Sequence, residues 1–286
     1  MVQRVSINSR TDDASCIPIL RDLVLFLEER GVTVLLPDNE IIRHSELSSR
    51  IVTDEQFIST PDLVVVIGGD GTFLRTARLF CCALKPIFGI NRGRIGFLTE
   101  FSPDEYRTHL EDALSGRCQV SERLLLTAVH LRDGKEASIH HFLNDAVIHK
   151  GSMARPIQVM IEFDESGVTT FSGDGLIVST PTGSTAYSLS AGGPIITPSE
   201  TGIYLLTPIC PHSLSIRPFI LPASSCLRIR VIGAYQDIML TIDGQEVSVI
   251  GEGDEILIRR SDNAVVLITH PNKNFYSILR EKLGWG

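Results

Sequence analysis

The stretch Leu63-Val64-Val65-Val66-Ile67-Gly68-Gly69-Asp70-Gly71-Thr72 decides the fold of the first part of the chain. Its first five residues are all apolar, which is typical of a strand buried on both faces of a parallel sheet. Three glycines follow, and a helical pattern then occupies residues 73–79. A buried strand, a glycine turn and a helix in succession indicate a ligand site at the carboxyl edge of an α/β sheet.

The same alternation of strand and helix extends on both sides of this stretch. Pro18 suits the first turn of a helix, and apolar residues such as Leu20 and Leu27 follow at helical spacing. Further strand-like runs lie at residues 4–8, 32–36 and 85–90. We therefore expect residues 1–122 to form an α/β domain with a Rossmann-like parallel sheet.

Beyond residue 122 the pattern becomes mostly β. Short strand-like runs lie at residues 124–131, 142–148, 157–163, 168–171, 227–232, 238–242, 246–250, 255–259 and 264–268. Turn signals separate several of them, namely Glu165-Ser166-Gly167 and the strong hairpin signal Asp243-Gly244. We expect residues 123–271 to form a β-rich, sandwich-like domain. A helical pattern close to the last residues predicts that residues 272–286 pack back on the first domain as a helix.

The composition is that of a globular protein. Of the 286 residues, 43% are hydrophobic and 21% are charged, which is enough to bury a core. No apolar run approaches the ~20 residues of a membrane span, and the first residues do not have the pattern of a secretory signal. The six cysteines form no CxxC pair, so we interpret them as buried thiols of a cytoplasmic protein.

The charge distribution argues against nucleic acid as a partner. The formal net charge is −8 at pH 7, and no run of lysine and arginine supplies the basic face that nucleic-acid binding needs. Phosphorylated small molecules remain compatible with this charge, because a few local arginines can offset it. Such arginines are Arg75, Arg78, Arg92, Arg94 and Arg155.

Asp70 is the one carboxylate inside the glycine turn. Glycines let backbone amides approach a phosphate closely, and the amino terminus of the following helix favours the phosphate charge. A carboxylate is unfavourable beside such an anion unless it binds a metal or accepts a proton from a hydroxyl. Two interpretations stay open on spacing alone: a catalytic aspartate, or a glycine turn with a helix-capping aspartate.

Other phosphate and metal signatures are absent from the sequence. The pair Gly134-Lys135 is not followed by the Ser or Thr of a P-loop, and residues 89–96 lack the GxGxxG spacing of a dinucleotide-binding turn. No HExxH or Cys/His pattern indicates a zinc site, so no metal-ligating residue is predicted. The histidines of the β-rich part that we interpret as ordinary strand-end residues are His140, His141 and His149.

A second candidate site lies at residues 173–194. This stretch concentrates glycines, small hydroxyl residues and one aromatic residue, Tyr187, after an apolar strand. Hydroxyl groups can cap the start of a helix, and Tyr187 offers a face for stacking on a base. The alternative is a capped helix on a tight loop that binds no ligand.

Four stretches of the chain resemble, in order, the signatures of the NAD kinase family: residues 68–72, 89–99, 143–145 and 174–194. Residues 256–260 and 282–285 are also similar to those of bacterial members. The GGDGT sequence at 68–72 is shared with 6-phosphofructokinases, diacylglycerol kinases and sphingosine kinases, so it indicates only a kinase superfamily. The stretch 174–194 is more specific, and on it the chain is identified as a member of the NAD kinase family.

The resemblance implies a set of site residues. Asp70 matches the family's catalytic aspartate, which accepts the proton of the ribose 2′-hydroxyl. Residues implied to bind phosphate are Gly68, Gly69, Gly71 and Thr72. Those implied to contact substrate, besides Asp70 and Gly71, are Arg75, Phe97, Asn144, Asp145, Arg155, Asp174, Thr182, Thr185, Ala186, Tyr187, Ser188, Leu189, Ser190 and Gln245. Ser172 departs from the pattern, because several members carry an arginine there, and one charge contact to the ligand is therefore in doubt.

The resemblance also implies the reaction and its participants. The expected enzyme moves the γ-phosphoryl group of ATP to the 2′-hydroxyl of the adenosine ribose of NAD, giving NADP. Phosphoryl transfer needs positioning and charge neutralisation, to which Mg²⁺ bound with ATP contributes without a dedicated protein site. NAD and ATP are the expected partners of a homodimer or homotetramer, in which Asp174 can reach a neighbouring subunit's site.

Two rival functions have weaker support in the sequence. In a lipid or sugar kinase with the same glycine turn, residues 174–194 would have no dinucleotide to bind. A non-catalytic NAD(P)-binding regulator would not need Asp70 together with Asn144 and Asp145.

Overall fold

The computed structural model of the chain describes residues 2–10, 13–93, 95–151, 156–164, 167–233 and 237–284. Two units make up the chain, Met1–Glu122 with Val265–Gly286 and Arg123–Ala264. None of the helices in the described ranges combines the length and apolar character that crossing a membrane requires. The predicted turn at Glu165-Ser166 and the residues Arg94 and Arg155 lie outside the described residues.

The elements follow one another in the chain order β1 (Arg4–Ser9), α1 (Ile17–Glu28), β2 (Thr33–Leu35), α2 (Glu40–Arg43), α3 (Asp54–Ser59), β3 (Leu63–Ile67), α4 (Asp70–Leu79), β4 (Ile87–Ile90), α5 (Tyr106–Leu114), β5 (Gln119–Arg123), β6 (Leu126–Arg132), β7 (Lys135–Phe142), β8 (Asp145–Lys150), β9 (Ile157–Phe163), β10 (Gly167–Gly173), β11 (Gly175–Ser179), α6 (Tyr187–Ser190), β12 (Ile203–Ile209), β13 (Phe219–Pro222), β14 (Leu227–Ile232), β15 (Ile238–Ile242), β16 (Glu246–Ile250), β17 (Glu255–Arg260), β18 (Val265–Thr269) and α7 (Phe275–Leu283). A short 3-10 turn, Thr182–Thr185, precedes α6.

The first unit is built around a six-stranded sheet in the order β2-β1-β3-β4-β18-β5. Strand β1 pairs in parallel with β2 and β3, and β4 pairs in parallel with β3 and β18. All five residues of β3 are buried, as expected for a strand covered on both faces. The predicted Rossmann-like α/β architecture is confirmed.

Helices cover this sheet with apolar faces. In α1 a proline stands in the first turn, and Leu20, Leu23 and Leu27 are buried in one cluster with Val5 and Ile7 of β1. Helix α7 belongs to the same unit and buries Ile278 and Leu279. The predicted return of the last helix to the first domain is therefore confirmed.

The second unit contains two antiparallel sheets of six strands each, with the orders β10-β9-β14-β17-β6-β7 and β13-β12-β11-β8-β15-β16. Apolar side chains from both sheets form one buried cluster, for example Val159 and Ile229 from the first sheet and Ile148 and Val178 from the second. Two sheets that share a core make a sandwich. The predicted β-rich, sandwich-like fold is confirmed.

Two boundaries differ from those expected on sequence. Strand β18 lies in the sheet of the first unit, because its buried Leu267 pairs with Ile87 of β4; the second unit therefore ends at Ala264 rather than at residue 271. The run 142–148 is not one strand. It breaks after Phe142, so that β7 pairs with β6 whereas β8 pairs with β11 and β15 of the other sheet.

Candidate active site

Asp70 lies at the carboxyl edge of the first sheet, three residues after the end of β3. Helix α4 begins at Asp70, and its N-cap is Gly69, which has no side chain to cap the helix. A Cβ atom on Gly68 would lie 2.6 Å from Oγ1 of Thr72, so the turn requires glycine at that position. The amino terminus of α4 is thus presented at the edge where ligands of α/β sheets bind, with the charge preference that suits a phosphate.

The Asp70 carboxylate does not cap its own helix. Oδ2 accepts the backbone N–H of Phe97 and Oδ1 that of Leu98, both at 3.0 Å. Both donors come from the loop after β4. The carboxylate is therefore oriented by a neighbouring segment, and this geometry argues against the helix-capping interpretation of Asp70.

Gly96 makes this arrangement possible. A Cβ atom at position 96 would overlap Oδ1 of Asp70 and Oγ1 of Thr99. A Cβ atom at position 89 would lie 2.8 Å from the carbonyl oxygen of Leu98. The glycines of the loop 89–96 thus let the chain approach Asp70 closely, a role that their spacing alone did not indicate.

Lys282 of α7 stands beside Asp70. Its Nζ lies 3.6 Å from Oδ2 of Asp70 and 5.2 Å from the centroid of the Phe97 ring. Sequence reasoning missed Lys282 as a site residue, because nothing local relates it to position 70. The available signals were the resemblance of residues 282–285 to bacterial NAD kinases and a basic residue in the last turn of the final helix.

Arg75 lies one turn further along α4. Its Nη2 donates to the carbonyl oxygen of Ser9 at 3.3 Å, which is the last residue of β1. Arg75 therefore sits at the same sheet edge as the glycine turn. Arg92, by contrast, is paired with Asp13 and Ser15 on the surface.

In the second unit, the break between β7 and β8 forms a tight turn in which Asn144 is half-buried and Asp145 is buried. The Asp243 carboxylate accepts three consecutive backbone N–H groups, those of Leu143 at 3.3 Å, Asn144 at 2.8 Å and Asp145 at 3.2 Å. Asp243 itself adopts a positive φ of 49° in the β15–β16 turn. The predicted hairpin signal Asp243-Gly244 thus also fixes the Asn144-Asp145 pair.

The turn Thr182–Thr185 packs directly against this pair. A Cβ atom on Gly183 would overlap the backbone of Asn144, so only glycine allows the approach. The N–H of Thr180 donates to the carbonyl of Asn144 at 2.9 Å. The second candidate stretch and the Asn144-Asp145 turn therefore form one site within the second unit.

A pocket of about 380 Å³ opens beside this turn. Four of its lining residues were expected, namely Asn144, Asp145, Ala186 and Tyr187. Sequence reasoning missed the others, which are Val147, His149, Thr241, Asp243 and Gly244. His149 is fixed in the pocket wall, because its Nε2 lies 3.0 Å from Oγ1 of Thr241.

Asp145 is an unusual carboxyl group. Its side chain is almost completely buried, and burial together with the nearby Asp243 carboxylate raises its pKa from 3.8 to about 7. Only the backbone N–H of Tyr187 acts in the opposite direction. A carboxyl group whose pKa is raised to about 7 at the wall of a pocket is typical of a functional site.

Several other expected residues have different surroundings. Ser188 is buried and its Oγ lies 2.7 Å from Oγ1 of Thr207, and Thr182 has a buried Oγ1 without a hydrogen-bond partner. Neither hydroxyl faces the pocket. Expected residues that are also not among its lining residues are Thr185, Leu189, Ser190 and Gln245.

Asp174 lies at the other end of β11. Strand β11 starts at Gly175, whereas Ser179 at its far end pairs with Asp145. Five residues at about 3.3 Å each separate Asp174 from the end of β11 that pairs with Asp145, roughly 17 Å away, whereas Gly175, next to Asp174, pairs with the pocket residue His149. Asp174 is exposed and contacts Cys210, whose pKa it raises. Ser172, in the preceding strand, accepts the N–H of His212 through its carbonyl oxygen at 2.8 Å.

A cluster in the first unit has the residue types of a metal site. Ligand atoms of Glu105, His109 and His270 lie within 4.8 Å of one another. Nδ1 of His270, however, accepts the N–H of Asn272 at 3.1 Å, which leaves the ring proton on Nε2, the atom that faces Glu105. Lys273 also lies 2.7 Å from the Glu105 carboxylate. The Glu105 carboxylate is therefore paired with Lys273 and Nδ1 of His270 with Asn272, whereas Nε2 of His270, 3.5 Å from Glu105, has no hydrogen-bond partner among the residues that the structure describes.

Comparison with known proteins gives consistent matches. A family model described as ATP-NAD kinase N-terminal domain matches residues 5–118, and one described as ATP-NAD kinase C-terminal domain matches residues 143–270. An NAD kinase of Syntrophotalea carbinolica is 42% identical over 293 residues, which cover 100% of this chain and 99% of that protein.

Solved structures agree. The crystal structure of yeast NADH kinase complexed with NADH superposes with a TM-score of 0.91 at 27% identity, covering 100% of this chain and 88% of that chain. The structure of an NAD kinase from Archaeoglobus fulgidus in complex with ATP gives a TM-score of 0.77 at 25% identity, covering 97% of this chain and 99% of that chain.

Proposed function

The chain belongs to the NAD kinase family, and from this premise we propose that Asp70 carries the chemistry of its reaction. That reaction transfers the γ-phosphoryl group of ATP to the 2′-hydroxyl of the adenosine ribose of NAD and gives NADP. The observation that supports the role of Asp70 is its carboxylate, which is held by two loop amides at the start of α4 instead of capping the helix.

In the proposed mechanism, one carboxylate oxygen of Asp70 accepts the proton of the ribose 2′-hydroxyl while the hydroxyl oxygen forms a bond to the γ-phosphorus. The bond from that phosphorus to the β,γ-bridging oxygen breaks, and ADP leaves. The backbone at Gly68, Gly69, Gly71 and Thr72 then faces the phosphates of the donor, with the amino terminus of α4 favouring their charge. Catalysis of phosphoryl transfer depends mainly on such positioning of the reactants and on stabilisation of the phosphate charge. Arg75 at the same sheet edge adds a positive charge, and Phe97 contributes an aromatic side chain beside Asp70.

Magnesium bound with ATP fits these residues as a metal held chiefly by the triphosphate. Each oxygen of Asp70 already accepts a backbone N–H, so the carboxylate offers few further lone pairs. Magnesium on a nucleotide needs only one or two protein carboxylates. When bound, the ion neutralises charge on the phosphates.

The pocket of the second unit is the proposed site for part of the dinucleotide. Its Asn144 and Asp145 offer polar contacts, and the ring of Tyr187, which is 46% exposed, offers a stacking face. The hydroxyl residues Thr185 and Ser190 are proposed to contribute further contacts. Ser188 and Thr182 are proposed to act indirectly, because both are buried.

Asp174 is proposed to act across a homodimer or homotetramer. Its support is its exposed position at the end of β11 remote from Asp145, where a neighbouring subunit's ligand can reach it. Size-exclusion chromatography with light scattering tests the assembly. We expect the enzyme to act in the cytoplasm.

The test of the proposed function is a coupled spectrophotometric assay for NADP formed from NAD and ATP, applied to the parent and to Asp70→Asn. Asparagine keeps the shape but cannot accept the proton, and its NH2 group cannot accept one of the two loop N–H groups. We therefore expect kcat to fall about 10²–10⁴-fold while KM for NAD changes little. Asp54→Asn, a first-turn aspartate of α3, serves as the control and should behave as the parent. A kcat of Asp70→Asn within about threefold of the parent contradicts the assignment.

A further inference from the structure

Lys282 lies beside the proposed proton acceptor and has no part in the mechanism above. Its Nζ is 3.6 Å from Oδ2 of Asp70 and 5.2 Å from the centre of the Phe97 ring. Phe97 in turn donates its backbone N–H to the same Oδ2 at 3.0 Å. Lys282 thus approaches Asp70 at the oxygen that the loop after β4 also holds.

Lys282 lies on helix α7, which is anchored at both of its ends and by buried side chains. The helix begins with a capping box formed by Asn274 and Ser277, and it ends at Gly284 in the left-handed conformation, with a φ of 63°. Ile278 and Leu279 anchor it by burial. A cation in the last turn is also favoured by the helix carbonyl groups. The ammonium group therefore belongs to a well-anchored element rather than to a free surface side chain.

We propose that Lys282 is a positioning residue for phosphoryl transfer, which holds the Asp70 carboxylate in the orientation that accepts the hydroxyl proton. The two amides that bind Asp70 come from consecutive residues of one loop. Lys282 adds a charge from a separate helix, so that two elements define the carboxylate position. The proposal rests on the assignment of Asp70 as the proton acceptor.

The geometry argues that this ion pair serves the reaction more than the fold. The side chains of Lys282 and Asp70 are 31% and 28% exposed, and ion pairs open to solvent contribute little to folding stability. At 3.6 Å the two groups are also beyond hydrogen-bond distance. Loss of the pair should therefore leave the unfolding temperature nearly unchanged, whereas a displaced carboxylate lowers the rate.

The experiment compares Lys282→Met with the parent in the NADP assay. Because a small misplacement of a reacting group costs up to about 100-fold, kcat should fall about 10- to 100-fold. KM for NAD and for ATP should change by no more than about threefold. Lys282→Arg, which keeps the charge, should restore much of the rate. Arg280→Met removes the other basic residue of the same helical turn and should behave as the parent.

The decisive arm repeats Lys282→Met in the Asp70→Asn background. If Lys282 acts through the Asp70 carboxylate, the second substitution should change kcat by no more than about twofold. Any one of three results overturns the proposal. The first is a kcat of Lys282→Met equal to that of the parent, and the second is a fall in kcat on adding Lys282→Met to Asp70→Asn that is as large as its fall in the parent. The third is a raised KM for ATP in Lys282→Met with kcat unchanged. Lys282→Gln replaces the methionine variant if thermal unfolding shows that the latter does not fold.

These outcomes are separate from failure of the proposed function. A parent protein that forms no NADP contradicts the reaction itself, and a fully active Asp70→Asn contradicts the role of Asp70. Only the behaviour of Lys282 variants in an active parent addresses the positioning role.

Discussion

Replacing Asp145 with asparagine should make the protein more stable and at the same time weaken its binding of NAD. The pKa of Asp145 rises from 3.8 to about 7, first through burial and second through the neighbouring Asp243 carboxylate. At about 1.4 kcal/mol for each pH unit between these values, the ionised side chain costs about 4 kcal/mol of folding free energy above pH 7.

The pH dependence has a definite sign. Below pH 3.8 the carboxyl group is protonated in the folded and the unfolded chain, and the cost is absent. Between pH 3.8 and about 7 the unfolded chain releases the proton and the folded chain keeps it, so stability falls as the pH rises. Above this window both states are ionised and the cost stays constant.

Asparagine at position 145 carries no charge, so it removes the free-energy cost of ionising a buried carboxyl group, and its side-chain oxygen can still accept the N–H of Tyr187. The free energy of unfolding of Asp145→Asn minus that of the parent should therefore grow by about 3 kcal/mol between pH 5 and pH 8. Urea denaturation followed by circular dichroism at both pH values measures it. A difference that stays constant or shrinks as the pH rises would refute the reasoning.

Asp243→Asn is the matched control, because it changes the same carboxylate pair from the other side. Asp243 accepts three backbone N–H groups, and the weaker acceptor should lower stability by about 1 kcal/mol or more at pH 5, where Asp145 is protonated and the two carboxylates do not repel. In the NADP assay, Asp145→Asn should raise KM for NAD, since a destabilising group at a binding site is retained for function.

Four further predictions concern the remaining parts of the site. Gly96→Ala places a Cβ atom on Oδ1 of Asp70, so it should lower kcat roughly 100-fold while the protein still binds NAD. Activity equal to that of the parent would show that the loop can shift to accommodate the Cβ atom without displacing Asp70. Tyr187→Ala should raise KM for NAD about tenfold, since stacking on a base contributes about 1–3 kcal/mol, with little change in unfolding temperature. Ser188→Ala should show the reverse, a stability loss of about 1 kcal/mol from its buried hydrogen bond with KM nearly unchanged, and an exchange of these two outcomes would contradict the pocket assignment. Chelation with EDTA should abolish activity, which added Mg²⁺ restores, without moving the unfolding transition; full activity in EDTA would contradict a metal requirement.

Local pattern was sufficient for much of the fold. The apolar run of β3 has no alternation, so it predicted a buried parallel strand, and the Asp243-Gly244 dipeptide predicted the β15–β16 turn. The prediction failed where distant residues decide the local structure. The run 142–148 looks like one strand, yet it breaks because the carboxylate of Asp243, 100 residues from Leu143, binds the amides of the turn. Sequence reasoning also passed over α5, β5, β12 and β13.

The candidate site shows the same division. The glycine turn and Asp70 could be identified on sequence, because strand, turn and helix are consecutive there. The contacts of Asp70 could not, since its amide donors and Lys282 come from elsewhere in the chain. The many hydroxyl residues likewise predicted a site at residues 182–190. The sequence did not show which side chains face the pocket: Tyr187 lines it, whereas Ser188 is buried against Thr207.

Because β18 belongs to the first sheet but follows the second unit in sequence, the first unit can be completed only after the second unit has been synthesised. Residues 123–264 interrupt the first unit in sequence, so the whole second unit emerges before β18 and α7 exist. Domains fold as units during synthesis, and the second unit can therefore fold while the first sheet still lacks the strand that separates β4 from β5. Because Lys282 belongs to the last helix, its pairing with Asp70 is among the final contacts to form. A nascent chain that stops near residue 264 would carry the pocket beside Asn144 without β18 and α7 of the first unit.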